Sequence, residues 1–297
     1  MSLELCVLGS GSSGNSTVVR AAWGVFLLDA GFGPRVTEQR LDPLGLRVAD
    51  IAAIVLTHLD SDHFNGHWLL TILKQEIQVH VARRHLKSFL RLPEVRDIIA
   101  SLEKRRYPPD ALERLVVPFD NDLEPVRGVR LEVLPLAHDS TGSHGFVMDA
   151  DGYRVGFATD LGHVPELLIE KFCGVDLLAI ESNYDHDMEV RSARPYYLKQ
   201  RIMGGSGHLS NDQAFEAVRT VLDRTREACG PDRLPRHIVL LHRSRECNCP
   251  KLLRRLFASD PRIAPILTLT HQHEATGWLS ARRPRTQHAE QLALAWG

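Results

Sequence analysis

The stretch THLDSDH, residues 57–63, lies between the apolar run IAAIVL and the helically periodic segment FNGHWLLTILKQE. It therefore places two histidines and two aspartates at a strand-to-helix junction. A solvated turn with capping aspartates accounts for Asp62 near a helix start, but not for His58 and His63 beside it. Divalent zinc or manganese needs nitrogen and oxygen ligands at about 2.0 to 2.2 Å, which short stiff segments provide. The stretch predicts a metal site with four candidate ligands, including Asp60.

The same stretch can serve two neighbouring ions. Alternation along an extended chain puts His58 and Asp60 on one side and leaves Asp62 and His63 for an adjacent position. One cluster cannot close two sites, so further ligands are expected where later strands end. Polar residues end three later apolar runs, VRLEVLPLAH, YRVGFATD and RHIVLLH, and they are His138, Asp160 and His242.

Two strand-rich blocks set the predicted fold. LELCVL, STVVRA and GVFLLDAG form the first, and VRLEVLPLAHD, HGFVMDADG and YRVGFATD form the second, with a hairpin turn in DADG. Helical patterns follow each block. This order predicts an α+β protein, a four-layer αββα sandwich, as a single domain over residues 1–280. Residues 281–297 are predicted to form a poorly ordered tail.

Composition narrows the class of protein. The chain has 297 residues, 43% hydrophobic and 25% charged, with a formal net charge of −1. It contains no apolar run of roughly 18 residues and no signal-peptide pattern, so a cytoplasmic protein without a membrane span is predicted. Five scattered cysteines predict free thiols. Because the charge is balanced, any nucleic-acid binding must use local patches.

Several motifs together resemble one known family. They lie between residue 3 and about residue 275 and read LGSGSSGNST, LLDAG, THLDSDH, AHD, ATDLG, ESNYDHDM, SGHLSN and LHRSRECN. The set resembles the metallo-β-lactamase superfamily and, within it, the YycJ (WalJ)-type branch of exonuclease-like metallohydrolases. The resemblance implies the metallo-β-lactamase fold and two bound divalent ions.

The resemblance also implies a ligand set. His58, Asp60 and His138 would hold the first ion, Asp62, His63 and His242 would hold the second, and Asp160 would bridge them. The superfamily usually has a histidine where this chain has Asp60. A carboxylate in place of an imidazole makes the site harder, which favours Mn²⁺ relative to Zn²⁺. Asp29 in LLDAG is expected to support the metal loop without ligating.

Substrate residues are expected in ESNYD and SGHLSN. The resemblance implies substrate binding by Asn183, His208 and Asn211 and a catalytic role for Asp62 and His208. His208 precedes a helix, where free amide groups favour phosphate, although a simple helix cap with an incidental histidine explains the same pattern. Asp185 receives no specific role.

Other patterns are weaker. Gly9-x-Gly11-x-x-Gly14 has the spacing of a dinucleotide fingerprint, but a strand follows it instead of the required helix. His67 and the Cys247-x-Cys249 pair are not expected to bind metal. Three basic segments, residues 82–91, 191–201 and 251–256, could flank a nucleic-acid cleft. The middle segment is favoured because Tyr196 and Tyr197 offer stacking surfaces.

The predicted function is that of a dinuclear metal-dependent hydrolase of phosphodiester bonds, a DNA exonuclease that uses a metal-bridging hydroxide. One alternative is a small-molecule metallohydrolase acting on a cyclic phosphate, lactone or thioester. The other is a non-catalytic scaffold of the same fold. The sequence leaves the oligomeric state open.

Overall fold

A computed structural model describes residues 3–281, in which two seven-stranded sheets pack face to face with helices on both outer sides. The predicted αββα sandwich is confirmed. Of the predicted tail, residues 282–297 lie outside the described residues. Ala281 is buried, and its amide donates to the carbonyl of Leu3.

The first sheet has mixed strand directions. Its strands are β1 (Glu4–Gly9), β2 (Ser16–Ala21), β3 (Gly24–Leu28), β4 (Ile51–Val55), β5 (Gln78–Ala82), β6 (Val116–Phe119) and β14 (Leu279–Ser280). Their order across the sheet is β14-β1-β2-β3-β4-β5-β6. β1 and β2 pair antiparallel, as do β2 and β3, and the pairs from β3 to β6 are parallel.

The second sheet repeats this plan. Its strands are β7 (Asp122–Val126), β8 (Val129–Leu136), β9 (Ser143–Ala150), β10 (Tyr153–Ala158), β11 (Leu177–Glu181), β12 (His237–Leu241) and β13 (Leu267–Leu269). They lie in sequence order across the sheet. The predicted DADG turn joins β9 to β10 through Asp151 and Gly152, both with positive φ, as a two-residue hairpin turn requires.

The helices lie outside the two sheets, and most of them cover the outer sheet faces. They are α1 (Pro34–Leu41), α2 (Trp68–Gln75), α3 (Arg83–Phe89), α4 (Pro93–Ser101), α5 (Glu166–Phe172), α6 (His186–Arg191), α7 (Tyr196–Met203), α8 (Asn211–Cys229) and α9 (Pro250–Phe257). Ser210 caps α8 and forms a reciprocal capping box with Gln213.

Strand alternation divides the apolar residues into three layers. Phe26 and Leu28 of β3 face the space between the sheets, whereas Leu27 faces the outer layer with Trp68 of α2. The outer face of the second sheet packs against Phe172 and the buried side of α8. A fourth, small apolar cluster lies apart from these layers and contains Tyr184, Ile202, Cys247, Met188, Leu198 and Met203.

Strand direction brings the polar strand ends together. β3 and β4 run parallel, and β8, β10, β11 and β12 also share one direction, because β8 and β10 both pair antiparallel with β9. The residues that follow these strands therefore lie at one edge of each sheet, and the two edges face each other. This edge carries the predicted site.

Candidate metal centre

The seven predicted ligands meet at this edge. The loop after β4 carries His58, Asp60, Asp62 and His63, while His138, Asp160 and His242 follow β8, β10 and β12. Potential ligand atoms lie within 4.8 Å of one another in four groups, three of which together contain all seven side chains. These three are His58 with Asp60 and His138, Asp62 with His63 and His242, and His58 with His63 and Asp160, and the fourth joins Asp160 and His242 to Glu181 and His208.

Asp160 occupies the middle of the cluster. Its carboxylate oxygens lie 3.0 Å from His63 Nε2, 3.9 Å from His138 Nε2 and 3.3 Å from His242 Nδ1. The Asp160 side chain is almost fully buried. A central buried carboxylate facing imidazoles of both groups has the position expected of a bridging ligand.

Asp60 lies at the outer side of the first group. Its Oδ2 is 3.8 Å from His58 Nε2 and 4.0 Å from His138 Nε2. Asp62 Oδ2 lies 3.7 Å from His63 Nε2 and 3.3 Å from His242 Nε2. Each aspartate thus faces two imidazoles at distances that leave room for an ion between the groups.

The four histidines share one orientation. In each ring Nδ1 contacts a protein oxygen: Thr57 Oγ1 for His58, Asp29 Oδ2 for His63, the Gly207 carbonyl for His138 and Glu181 Oε1 for His242. Nε2 of each ring is left facing the shared space. Metal-ligating histidines characteristically donate their other N–H group to such partners, which fixes the tautomer.

One buried atom provides a direct test of fit to a metal. His58 Nε2 is inaccessible to solvent and has no hydrogen-bond partner among the described residues. Burying a polar atom without a partner costs about 1–3 kcal/mol. An ion between His58, Asp60 and His138 would bind this nitrogen, so the donor set fits a divalent metal in both chemistry and geometry.

Asp29 supports the cluster from behind, as expected. It follows β3 and accepts hydrogen bonds from the amide and hydroxyl of Thr57 and from His63 Nδ1 at 2.7 to 3.0 Å. Since Thr57 also contacts His58 Nδ1, one carboxylate orients two imidazoles. The chain passes so close here that a side chain at Gly31 would lie 1.8 Å from the Asp62 carbonyl oxygen, so glycine is required at this position.

Glu181 is a site residue absent from the sequence-based prediction. It is fully buried at the end of β11, and Oε1 lies 2.7 Å from His208 Nδ1 and 3.0 Å from His242 Nδ1. Its other oxygen accepts from the amides of Leu161 and Leu209. The run LLAIE ends on a polar residue just as the runs before His138, Asp160 and His242 do, so the same rule would have selected it.

Burial and neighbouring charges shift the pKa values of the clustered groups in opposite directions. Burial alone would raise the pKa of Asp160, yet His242 and His63 hold it well below its usual range. Burial would lower the pKa of His242, but Asp160, Asp62 and Glu181 raise it to about 10. Burial dominates at His58 and holds its pKa well below the usual value. Acidic and basic groups therefore stabilise each other's charged forms by mutual attraction, and a bound metal would replace the extra proton on His63 and His242, because only neutral imidazole ligates.

Backbone conformation also marks the site. Asp29, Asp160 and His242 each follow a strand and adopt positive φ, at 59°, 52° and 51°. This left-handed region is unfavourable for residues other than glycine. Non-glycine residues that adopt it concentrate at functional sites. The sharp turn directs each side chain toward the space between the sheets.

An open cleft of about 410 Å³ lies above the cluster. Asp60, Asp62, His138, Asp160 and His242 line its floor. Its walls are formed by Ser12, Asp139, Asn183, Arg194, Leu198, Arg201, Ile202, Gly207, His208, Ser244 and Glu246. The cleft thus joins the predicted metal ligands to cationic side chains from the α6–α7 region.

The predicted substrate residues separate into two groups. His208 and Asn183 line the cleft, and Asn183 Nδ2 also donates to the His242 carbonyl at 2.7 Å. Glu181 raises the pKa of His208 against the opposing effect of burial. Asn211 does not reach the cleft: it is buried, and its side-chain amide bonds Ser182 and Asn248.

Other predicted features lie outside the cluster. His67 is exposed before α2, and Asp185 caps α6 through the Met188 amide. Arg194 and Arg201 of the middle basic segment line the cleft, whereas the segments 82–91 and 251–256 contribute no lining residue. Tyr196 and Tyr197 are 76% and 74% exposed. All five cysteines are free thiols, as predicted.

A comparison with known families decides the identity. A family described as "Beta-lactamase superfamily domain" matches residues 25–228, more than half of the chain. The chain belongs to the beta-lactamase superfamily. The resemblance to its metallo-β-lactamase YycJ-like members is confirmed, and the chain is a metal-dependent hydrolase.

The chain is similar to individual relatives over different shares of its length. The chain is 26% identical over 264 residues to exodeoxyribonuclease YycJ of Bacillus anthracis, covering 86% of this chain and 87% of that protein. It is 31% identical over 178 residues to ribonuclease Z of Mycobacterium tuberculosis, covering 53% and 62%. Among solved structures, the metallo-beta-lactamase fold protein YhfI of Bacillus subtilis superposes with a TM-score of 0.63 at 11% identity, covering 93% and 99%.

None of the helices within residues 3–281 is both long enough and apolar enough to cross a bilayer.

Proposed function

We propose that this superfamily member is a dinuclear phosphodiesterase that degrades DNA from an end. The main support for this proposal is that two groups of potential ligands lie around Asp160. The cleft above them is also lined by Arg194, Arg201 and His208. Arg194 and Arg201 are ion-paired with Glu189, Glu246 and Asp139, so the positive charge that attracts a polyanion would come from the two divalent ions, and the arginines offer N–H donors to phosphate oxygens. The similarity to the exodeoxyribonuclease YycJ over most of both chains supports DNA as the polymer. The cytoplasmic location predicted from the sequence stays a proposal.

We propose the ligand assignment that the resemblance implied. His58, Asp60 and His138 would hold one ion, Asp62, His63 and His242 would hold the other, and Asp160 would contribute to both. Two bound ions would supply a nucleophile at neutral pH and stabilise charge on the phosphate oxygens. Asp60 offers an oxygen ligand where imidazole is usual, so we propose Mn²⁺ as the preferred metal.

The surrounding side chains have separate roles in this proposal. Asp62 orients the attacking water. His208, whose Nδ1 is held 2.7 Å from Glu181, presents its other nitrogen to the phosphate and compensates charge developing on its oxygens. Asn183 holds the His242 backbone in place and borders the cleft.

The test is degradation of end-labelled single- and double-stranded DNA and of matched RNA in Mn²⁺ or Zn²⁺. Wild-type protein should release products stepwise from DNA, with Mn²⁺ giving the higher rate. Asp160→Asn should lower kcat at least 10³-fold, because the bridging carboxylate is lost. Asp122→Asn on β7 makes the same chemical change at an exposed position and should retain activity.

Each contrary result has a definite meaning. Full activity in Asp160→Asn, with the variant folded, would contradict the assigned centre. Degradation of RNA alone would overturn DNA as the substrate. No nucleic-acid cleavage with both ions bound would favour the small-molecule hydrolase, and no bound ion would favour the non-catalytic scaffold.

A further inference from the structure

A second cavity opens directly beside the catalytic cleft. It has a volume of about 440 Å³ and is lined by Ser12, Ser13, Arg194, Arg245 and Glu246. Three of these residues, Ser12, Arg194 and Glu246, also line the cleft above the metal ligands. A flexible chain lying in the cleft can therefore continue into the second cavity without leaving the surface.

From this continuity we propose that the second cavity is a subsite for a phosphate group of the substrate strand, next to the scissile phosphodiester. The proposal rests on the proposed nuclease function. It adds a contact that only a substrate longer than a single small ester can make.

The loop that forms one wall is held in a fixed shape. Asn15 is buried and bonds the Gly11 amide and the Ser10 hydroxyl, while buried Gln272 accepts from the Ser13 amide and donates to the Gly14 carbonyl. These bonds leave Ser12 and Ser13 exposed at the cavity wall. Hydroxyl groups on a rigid loop can donate to phosphate oxygens with little loss of conformational entropy.

Charge on the opposite wall favours an anion. Arg194 is neutralised by Glu189 at 2.8 Å and Glu246 at 2.9 Å, which fixes its guanidinium. Arg245 is exposed and makes no ion pair within the described part of the chain. Of the two arginines that line the cavity, Arg194 is held by two glutamates, so Arg245 is the guanidinium available to a phosphate.

The chemistry of the lining defines the ligand class. It contains two hydroxyls, two guanidinium groups and the Glu246 carboxylate, which is paired with Arg194, but no aromatic or aliphatic side chain, so the serine and Arg245 side suits a phosphate better than a base. Both a terminal phosphate monoester and an internal diester of the strand have this chemistry.

The test compares Arg245→Gln with wild type on two substrates. One is a labelled DNA oligonucleotide, and the other is bis(4-nitrophenyl) phosphate, which is too short to span both cavities. For the oligonucleotide, KM should rise about tenfold with kcat nearly unchanged, and the dependence of log KM on log salt should become shallower by about 0.7. The kinetics on the short ester should change less than twofold.

A matched control makes the same substitution elsewhere. Arg127→Gln lies in the hairpin before β8, at the opposite end of this strand from His138, and should leave both substrates unaffected. Ser13→Ala, at a residue that lines the second cavity but not the cleft, should also raise KM for the oligonucleotide alone. These variants alter exposed groups. Folding of each variant is checked independently by its circular dichroism spectrum and Tm, so that a loss on both substrates in a folded variant counts against the subsite.

Changing the terminal group of the oligonucleotide distinguishes a terminal phosphate monoester from an internal diester as the ligand. If the effect of Arg245→Gln disappears when a terminal phosphate is replaced by hydroxyl, the subsite binds the terminal monoester. If it persists, the subsite binds an internal diester. Equal KM for wild type and Arg245→Gln, or equal loss on both substrates, overturns the subsite, whereas DNA left intact by wild type overturns the proposed function instead.

Discussion

Glu181 illustrates how much a single buried carboxylate can determine at this site. It contacts Nδ1 of both His208 and His242 and is held in turn by two backbone amides. His242 is a proposed metal ligand, and His208 is the proposed phosphate contact. Glu181 therefore positions residues of two different functions.

Replacing Glu181 by Gln should test this role. The amide keeps the size and can still accept from Leu161 and Leu209, but it loses the charge that fixes both imidazoles. We expect metal affinity or kcat to fall about 10- to 100-fold, as for other outer partners of metal ligands. His208→Asn should lower kcat without changing metal affinity. Unchanged metal affinity and kcat in Glu181→Gln would contradict the positioning role.

His80 is a second buried residue with a measurable consequence. It alternates with Val79 and Val81 on β5, faces the space between the sheets, and neither ring nitrogen has a partner among the described residues. Burial lowers its pKa to about 4. The unfolded chain, with an ordinary histidine pKa near 6.5, binds more protons below that pH.

The sign of the pH effect follows. Stability contributed by neutral His80 is complete above pH 6.5 and is lost as the pH falls toward 4, by about 2 kcal/mol at pH 5. His80→Met should remove this loss, so the difference in unfolding free energy between variant and wild type should grow by that amount between pH 8 and pH 5. Denaturant titration measures it, with exposed His67→Met as control. Parallel curves for His80→Met and wild type would show that His80 does not titrate on unfolding.

At the scale of secondary structure, the region from α6 to α7 stands apart from the main layers. Its apolar contacts belong to the small cluster around Tyr184, Ile202 and Cys247, and it supplies Leu198, Arg201 and Ile202 to the cleft wall. Few buried contacts predict local opening at lower free energy than the sheets. The cleft wall should thus be the more mobile side of the site.

Hydrogen exchange can detect this difference. Amides in residues 186–207 should exchange faster than those in β10–β12, and Ile202→Ala should accelerate exchange there with little change in Tm. Ile238→Ala, in the main layer on β12, should instead lower global stability by about 2–5 kcal/mol. A uniform rise in exchange and an equal loss of Tm in both variants would contradict a separate unit.

Sequence reasoning predicted the long elements because their patterns are strong. Apolar runs such as IAAIVL carry local signals that match the structure, and the helix predicted after His208 corresponds to α8. β13 and β14 have three and two residues and pair with β12 and β1, so their identity depends on distant partners. β6 and β7 were also missed, since β6 is only partly buried and β7 contains a proline.

The site was predictable to the extent that its residues end apolar runs. That rule brought together seven side chains that the structure places in one cluster. It could not give the orientation of the imidazoles or the cleft walls, which arise from contacts between residues such as His138 and Gly207. Asn211 is the opposite case. Its motif predicted a substrate-binding residue, but in the structure its side chain is buried and bonds Ser182.

For the molecule as a whole, the cluster joins the two sheets. Four ligands follow β4 of the first sheet, and three follow strands of the second. Bound ions would therefore stabilise the packing of one sheet on the other, by an amount that grows as RT ln(1 + [metal]/Kd). Removing metal leaves acidic and basic groups buried together, with His58 Nε2 lacking a partner.

Chelation should accordingly lower Tm. At a metal concentration 100 times Kd, the loss should correspond to about 2.7 kcal/mol for each site, and excess Mn²⁺ should reverse it. Differential scanning calorimetry with and without chelator measures the shift. His58→Ala should show a smaller chelator effect than wild type, and an identical Tm before and after chelation of the wild type would exclude structural coupling to metal.

The number of metal ions bound per chain tests the dinuclear centre most directly. After equilibrium dialysis against Mn²⁺ or Zn²⁺ and elemental analysis, wild type should hold two ions per chain, and His138→Ala and His242→Ala should each hold about one. Exposed His67→Ala should still hold two. One ion or none in the saturated wild type, or two ions retained in both ligand variants, would contradict a shared two-metal site at this edge of the sheets.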